Sequence, residues 1–171
     1  ETEDLVRENP GYGDLINAWR TLPGRSIILS AGPTSAGKGL VLKALKADLE
    51  NNGRTVVLLS GDRYIREWDE IPIVNLSGQP FRDVDNPIVM HWDWLEEDIL
   101  ALLTGEEVDI LAFDILTGKS QRRSGRVISL PKDAILIVDN IWALSENMRN
   151  IITRANPMNC VSIFVDAPIN V

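Results

Sequence analysis

The segment Ile27-Ile28-Leu29-Ser30-Ala31-Gly32-Pro33-Thr34-Ser35-Ala36-Gly37-Lys38-Gly39-Leu40 restricts the fold more than any other part of the chain. The apolar run before Gly32 suits a strand covered on both faces, as in a parallel sheet. Gly32 and Gly37 allow sharp turns and let backbone N–H groups approach an anion closely. From Leu40 to Leu49 apolar residues recur at helical spacing. A helix beginning near Lys38 would aim its N-terminal dipole and unpaired N–H groups at a phosphate. Glycine, four residues, glycine and lysine is the spacing of a phosphate-binding loop. Gly32, Pro33, Thr34, Ser35, Ala36, Gly37, Lys38, Gly39 and Leu40 are therefore expected to hold a nucleotide, with Lys38 supplying a full positive charge. That pattern ordinarily continues with a Ser or Thr whose hydroxyl touches magnesium. Here the position is Gly39, and Leu40 offers no substitute.

Strand and helix signals alternate along the rest of the chain. An amphipathic stretch at 14–20 ends at Pro23-Gly24. Apolar, β-branched runs fall at 26–31, 55–60, 134–138 and 161–165, with a weaker one at 108–113. Helical patterns cover 38–51, 88–104 and 145–155, and Asn52-Gly53 is a helix stop. Such alternation implies right-handed βαβ crossovers and an α/β fold of the P-loop NTPase kind, a mostly parallel sheet between two helical layers. The expected organisation is an N-terminal helical extension, 1–24, before a P-loop kinase-like domain, 25–171. Residues 65–87 carry scattered Pro, Gly, Asp and Asn and read as a long irregular excursion.

Composition narrows the partners. The net charge is −8 over 171 residues, and the one basic cluster is Arg122, Arg123 and Arg126. That is too little to track a nucleic-acid backbone. No apolar run approaches the length of a membrane span. The acidic start lacks the apolar core of a signal peptide, and the single Cys160 excludes an internal disulfide. A cytoplasmic protein with a small-molecule partner is expected. Five tryptophans point to core and interface packing, which leaves a homo-oligomer open. No Asn-Lys-x-Asp guanine-reading motif is present, which weighs against a GTPase.

In open α/β sheets, ligands bind beyond the carboxyl ends of the strands. Asp62 and Asp139 follow two of the strand signals, and Asp114 follows the weaker one. A carboxylate there can hold magnesium, accept a proton from an attacking hydroxyl, or merely cap the next helix.

Together these segments resemble the uridine kinase and phosphoribulokinase group of P-loop kinases, and most of all the uridine–cytidine kinases. The matching pieces are the loop Gly32 to Lys38; Leu59-Ser60-Gly61-Asp62-Arg63-Tyr64; Asp85-Asn86-Pro87; Val108 to Thr117 with Phe113-Asp114; Ile135 to Leu144 with Asp139-Asn140; and Ile163-Phe164-Val165-Asp166. The resemblance implies an ATP- and Mg2+-dependent kinase that phosphorylates a hydroxyl of a nucleoside or related sugar-containing molecule. In it Asp62 is the general base and a neighbour of the metal, and Lys38 serves the phosphates. Asp85 binds a sugar diol, Tyr64 and Phe113 line the acceptor pocket, and Asp139 holds magnesium. Outside the resemblance, Arg122, Arg123 and Arg126 either reach the substrate site from their loop or lie on a solvated loop. The chain departs from the pattern at Gly39, at Asp139 (where a Glu is usual) and at Gly118 or Lys119 (where a histidine reads the base). The arginine-bearing lid would follow the strand at 161–165. His91 falls in a helical segment and reads as structural. The alternatives are a nucleotide-binding relative with weak or no transfer, and a hydrolytic switch.

Overall fold

The computed structural model describes residues 12–114, 116–121 and 125–166, apart from the side chain of Leu76. Arg122 and Arg123, including the expected substrate contact at Arg123, lie outside the described residues. In chain order the elements are α1 (Tyr12–Arg20), β1 (Ile27–Ala31), α2 (Lys38–Asn51), β2 (Val56–Ser60), β3 (Ile73–Leu76), β4 (Gln79–Arg82) and α3 (Trp92–Thr104). There follow β5 (Val108–Asp109), β6 (Ala112–Asp114), β7 (Lys119–Gln121), β8 (Val127–Ile128), β9 (Ile135–Asp139), α4 (Glu146–Ala155) and β10 (Cys160–Phe164). The chain forms two compact units, residues 1–60 with 130–171, and residues 61–129.

The first unit carries a four-stranded parallel sheet in the order β10-β1-β9-β2. On one face Ile28, Val56, Ile135 and Ile137 pack with Leu42, Leu45 and Leu49 of α2 and with Ile16 and Trp19 of α1. On the other face Leu29, Leu59, Leu136 and Val138 are equally buried. Burial on both faces is why these strands read as continuous apolar runs rather than alternating ones. Each such side chain contributes about 1.5–3 kcal/mol relative to exposure. Helix α4 begins where the Ser145 hydroxyl accepts from the Met148 N–H at 3.4 Å. The expected α/β fold with a mostly parallel sheet is what this unit shows. The helix of residues 12–20, expected in an extension, contributes Ile16 and Trp19 to this unit's core.

The second unit is built from α3 and three antiparallel ribbons of two strands each: β3–β4, β5–β8 and β6–β7. The strand signal at 108–113 is here divided between β5 and β6, which belong to different ribbons, with Ile110 and Leu111 buried between them. Asp114 therefore ends a ribbon strand and not a strand of the parallel sheet. The excursion at 65–87 contains a 3-10 turn at Trp68–Glu70 and the β3–β4 hairpin. Its two-residue loop, Ser77-Gly78, has φ of 52° and 83°, the twist that joins antiparallel strands tightly. Helix α3 starts later than its pattern suggested, because Pro87–Val89 form a separate 3-10 turn capped by Asn86 Oδ1 on the Ile88 N–H at 3.0 Å. Among the described residues no helix is long and apolar enough to cross a membrane.

Candidate functional site

The phosphate loop leaves β1 at Ala31. Its first glycine is set by packing: the Val165 N–H donates to the Ala31 carbonyl at 2.8 Å, and a Cβ on Gly32 would collide with the Val165 carbonyl oxygen. The turn is closed by the Ala36 N–H on the Pro33 carbonyl at 3.2 Å, with Ser35 held at φ 65°. Gly37, at φ 84°, is the N-cap of α2 and makes no side-chain cap. No acidic residue occupies the first turn of α2. The positive end of this helix is therefore compensated by neither a capping oxygen nor a carboxylate, as an anion site requires. Lys38 Nζ donates to the Pro33 carbonyl at 3.3 Å, which folds the ammonium across the loop. A Cβ at Gly39 would meet nothing, so the absent hydroxyl is not excluded by space.

At the carboxyl edge of the sheet, Ser30 of β1 and Ser60 of β2 both pair in register with Asp139 of β9. Strand alternation puts the three side chains on the face of Ile28, Ile137 and α2. The Asn140 N–H donates to the Ser30 carbonyl at 3.1 Å, and Asn140 Oδ1 accepts from the Trp142 N–H at 2.7 Å. Asn140 thereby ties the end of β9 to β1, with Asp139 half-buried just before it. One carboxylate and two hydroxyls are hard oxygen donors of the kind magnesium accepts alongside nucleotide phosphates. Among the described residues no group of three or more His, Cys, Asp or Glu could hold a metal alone. The set of one carboxylate and two hydroxyls suits a magnesium ion whose other ligands are phosphate oxygens and waters.

The acceptor-side candidates lie in the second unit. Asp62 is exposed in the 3-10 turn Gly61–Tyr64, two residues beyond the end of β2. Tyr64 corrects the expectation of a pocket residue. Its side chain is 0% exposed, and its hydroxyl donates to Asp98 Oδ2 at 2.7 Å, so it anchors the turn to α3 and presents no surface to an acceptor. Asp85 is exposed just ahead of the Asn86 cap. Phe113 is half-buried and meets Trp68 edge to face, with ring centroids 6.5 Å apart. Trp68 also covers Gly118: the Trp68 N–H donates to the Gly118 carbonyl at 3.0 Å, and a Cβ on Gly118 would overlap the indole. Gly118, where the chain departs from the resemblance by lacking a base-reading histidine, is thus covered by Trp68, a contact no local pattern announced. Lys119 pairs with Glu67 at 2.8 Å and Asp69 at 3.4 Å, and its ammonium is pushed above the usual lysine range, mainly by Glu67. Backbone N–H donation from Leu116, followed by the Thr117 side chain, pulls Asp114 below the usual carboxylate range. His91 is structural, as expected: it is buried and stacked on Trp94, with centroids 3.7 Å apart.

No family model matches the chain. In sequence it is 28% identical over 130 residues to a uridine kinase of Halobacterium salinarum, across 76% of this chain and 53% of that protein. It is 26% identical over 146 residues to a uridine kinase of Deinococcus deserti, across 85% of this chain and 63% of that one. A third relative is the inorganic pyrophosphatase TTM2 of Arabidopsis thaliana, 29% identical over 152 residues that make up 20% of that protein. The fold is shared with a candidate uridine kinase of Bacillus stearothermophilus, at a TM-score of 0.66 and 14% identity over 91% of this chain and 79% of the other. This chain resembles the uridine kinase group of P-loop kinases. A candidate fructose transport system kinase of Silicibacter sp. TM1040 has the same P-loop kinase fold, with a TM-score of 0.67, 15% identity and coverage of 98% and 75%. The chain spans between about half and two-thirds of the length of the uridine kinases it matches.

Proposed function

We propose that this chain is an ATP-dependent phosphotransferase acting on a hydroxyl of a nucleoside or related sugar-containing small molecule. The observation that carries this reading is the uncapped N-terminus of α2 behind a glycine loop, with the Lys38 ammonium folded across it. An anion seated there meets oriented N–H groups and one full charge. Magnesium, when bound with the nucleotide beside Asp139, would supply neutralising charge at the phosphates. Lys38 and the loop amides orient the γ-phosphoryl group. Asp62, an exposed carboxylate, accepts the proton of the acceptor hydroxyl, and Asp85 accepts hydrogen bonds from a sugar diol. Phe113 contributes an apolar wall, and Arg123 a cation. A small-molecule partner and a cytoplasmic setting accompany this reading, and no role for nucleic acid or membrane.

A second reading, a nucleotide-binding relative with weak or no transfer, is favoured by Gly39, which has room for a hydroxyl and lacks one. Calorimetric titration with ATP tests the binding step. Lys38→Ala should weaken ATP by roughly 10- to 100-fold, the worth of a charge-assisted hydrogen bond. Incubation of the full-length natural protein with Mg-ATP and a panel of nucleosides and sugars tests transfer. A phosphorylated product lost in Asp62→Asn supports the kinase. ATP binding with no product from any acceptor supports the second reading.

A further inference from the structure

Two serines of the first unit are fully buried, and they differ in a way that bears on the missing hydroxyl. Ser26, ahead of β1, donates its hydroxyl to the Pro23 carbonyl at 2.6 Å and is satisfied. Ser30, in the last turn of the pleat before the phosphate loop, is 0% exposed, and its Oγ has no hydrogen-bond partner among the described residues. A buried hydroxyl left unpaired costs about 1–3 kcal/mol, so a strand flanked by Leu29 and Ala31 gains nothing structural from it. Its placement is specific. Ser30 is in register with Asp139 on the adjacent parallel strand, and Asn140 donates to its carbonyl, which holds that register at the strand end. Alternation turns its side chain to the face of α2, whose first turn contains Gly39.

We propose that the Ser30 hydroxyl, presented from β1 beside Asp139, is the positioning group for the divalent cation of a bound nucleotide, in the role that Gly39 lacks a side chain to fill. This rests on the reading of the loop as a Mg-nucleotide site. Magnesium retains several waters when it binds to one carboxylate and nucleotide phosphates. A hydroxyl next to that carboxylate, itself closed to water, acts by donating to Asp139, and that bond orients the ion's carboxylate partner. Moving the hydroxyl from helix to sheet explains how the loop can keep Gly39 without losing metal dependence.

The test compares the chain with Ser30→Ala, Gly39→Ser and the double variant. ATP affinity is measured by calorimetry in Mg2+ and in EDTA, Mn2+ affinity by paramagnetic resonance with ATP present, and thermal midpoints alongside. Loss of an orienting partner typically lowers metal affinity by roughly 10- to 100-fold. Ser30→Ala should therefore weaken Mn2+ and Mg-ATP by about tenfold or more, leave ATP in EDTA unchanged and leave the thermal midpoint equal or higher. Gly39→Ser should restore the metal-dependent part in the Ser30→Ala background. Equal effects of Ser30→Ala with and without metal, a lowered midpoint with no metal-specific loss, or no effect at all would overturn the proposal. Wild-type binding of ATP that metal does not strengthen overturns this proposal alone. Failure of the wild type to bind ATP in either condition overturns the loop reading and this proposal with it.

Discussion

In residues 1–60 and 130–171, the strands β1 and β9 bury Ile, Leu and Val on both faces between the less buried β2 and β10, so the stabilising area is spread over many side chains. Residues 61–129 pair strands of two to four residues in separate ribbons and depend on single contacts, such as Tyr64 on Asp98 and Trp68 on Gly118. Short isolated ribbons are marginal in water without such anchors. Under the proposed function, the contrast would match a division of labour in which phosphate binding uses a rigid platform and acceptor binding an adjustable surface.

Substitutions can break that contrast. The largest effect is expected in the sheet. Leu136→Ala, at a side chain with no exposure, should cost about 3–4 kcal/mol in urea unfolding. A cost under about 1 kcal/mol would mean that the sheet is not close-packed. Next comes Gly118→Ala, whose added methyl displaces the Trp68 indole. Overpacking of this kind costs about 1–3 kcal/mol, and Trp68 emission should shift to the red. Trp68→Ala should abolish the overpacking share of that penalty and leave the strain of a φ of 64°, and fully additive costs in the double variant would show that the contact is not specific. The smallest effect concerns acid. Asp114 titrates below its ordinary value, so its contribution is present above that value and fades as pH falls through the folded one. Asp114→Asn should flatten the acid limb of the stability profile slightly, and an unchanged limb would remove the turn's role.

The same contrast decides what could be read in advance. Strands β1, β2, β9 and β10 were legible to within a residue, because each carries a nearly unbroken apolar run, buried on both faces in β1 and β9. The ribbons were not, since two- to four-residue exposed strands carry no period. Only Ser77-Gly78 marked one of them, and it passed as part of an irregular stretch. Around the site, the loop, Lys38 and Asp139 were visible as spacing and strand ends. Tyr64 was misplaced because the turn Gly61–Tyr64 sends Asp62 outward and Tyr64 inward, toward an aspartate 34 residues away. Ser30 looked like strand filler, since neither its register with Asp139 nor its unpaired hydroxyl is written locally.

The two loop glycines also carry different information. Gly32 is specified twice, by a φ of 150° and by a neighbour, the Val165 carbonyl, and Gly37 by its own torsion angle alone, with open space around it. Randomising each codon should therefore return unlike survivors. Position 32 would keep glycine alone, even with the end of β10 changed, whereas position 37 would also admit asparagine and aspartate, which tolerate the left-handed region. One letter of the motif stands for an interface and a conformation together, the other for a conformation alone.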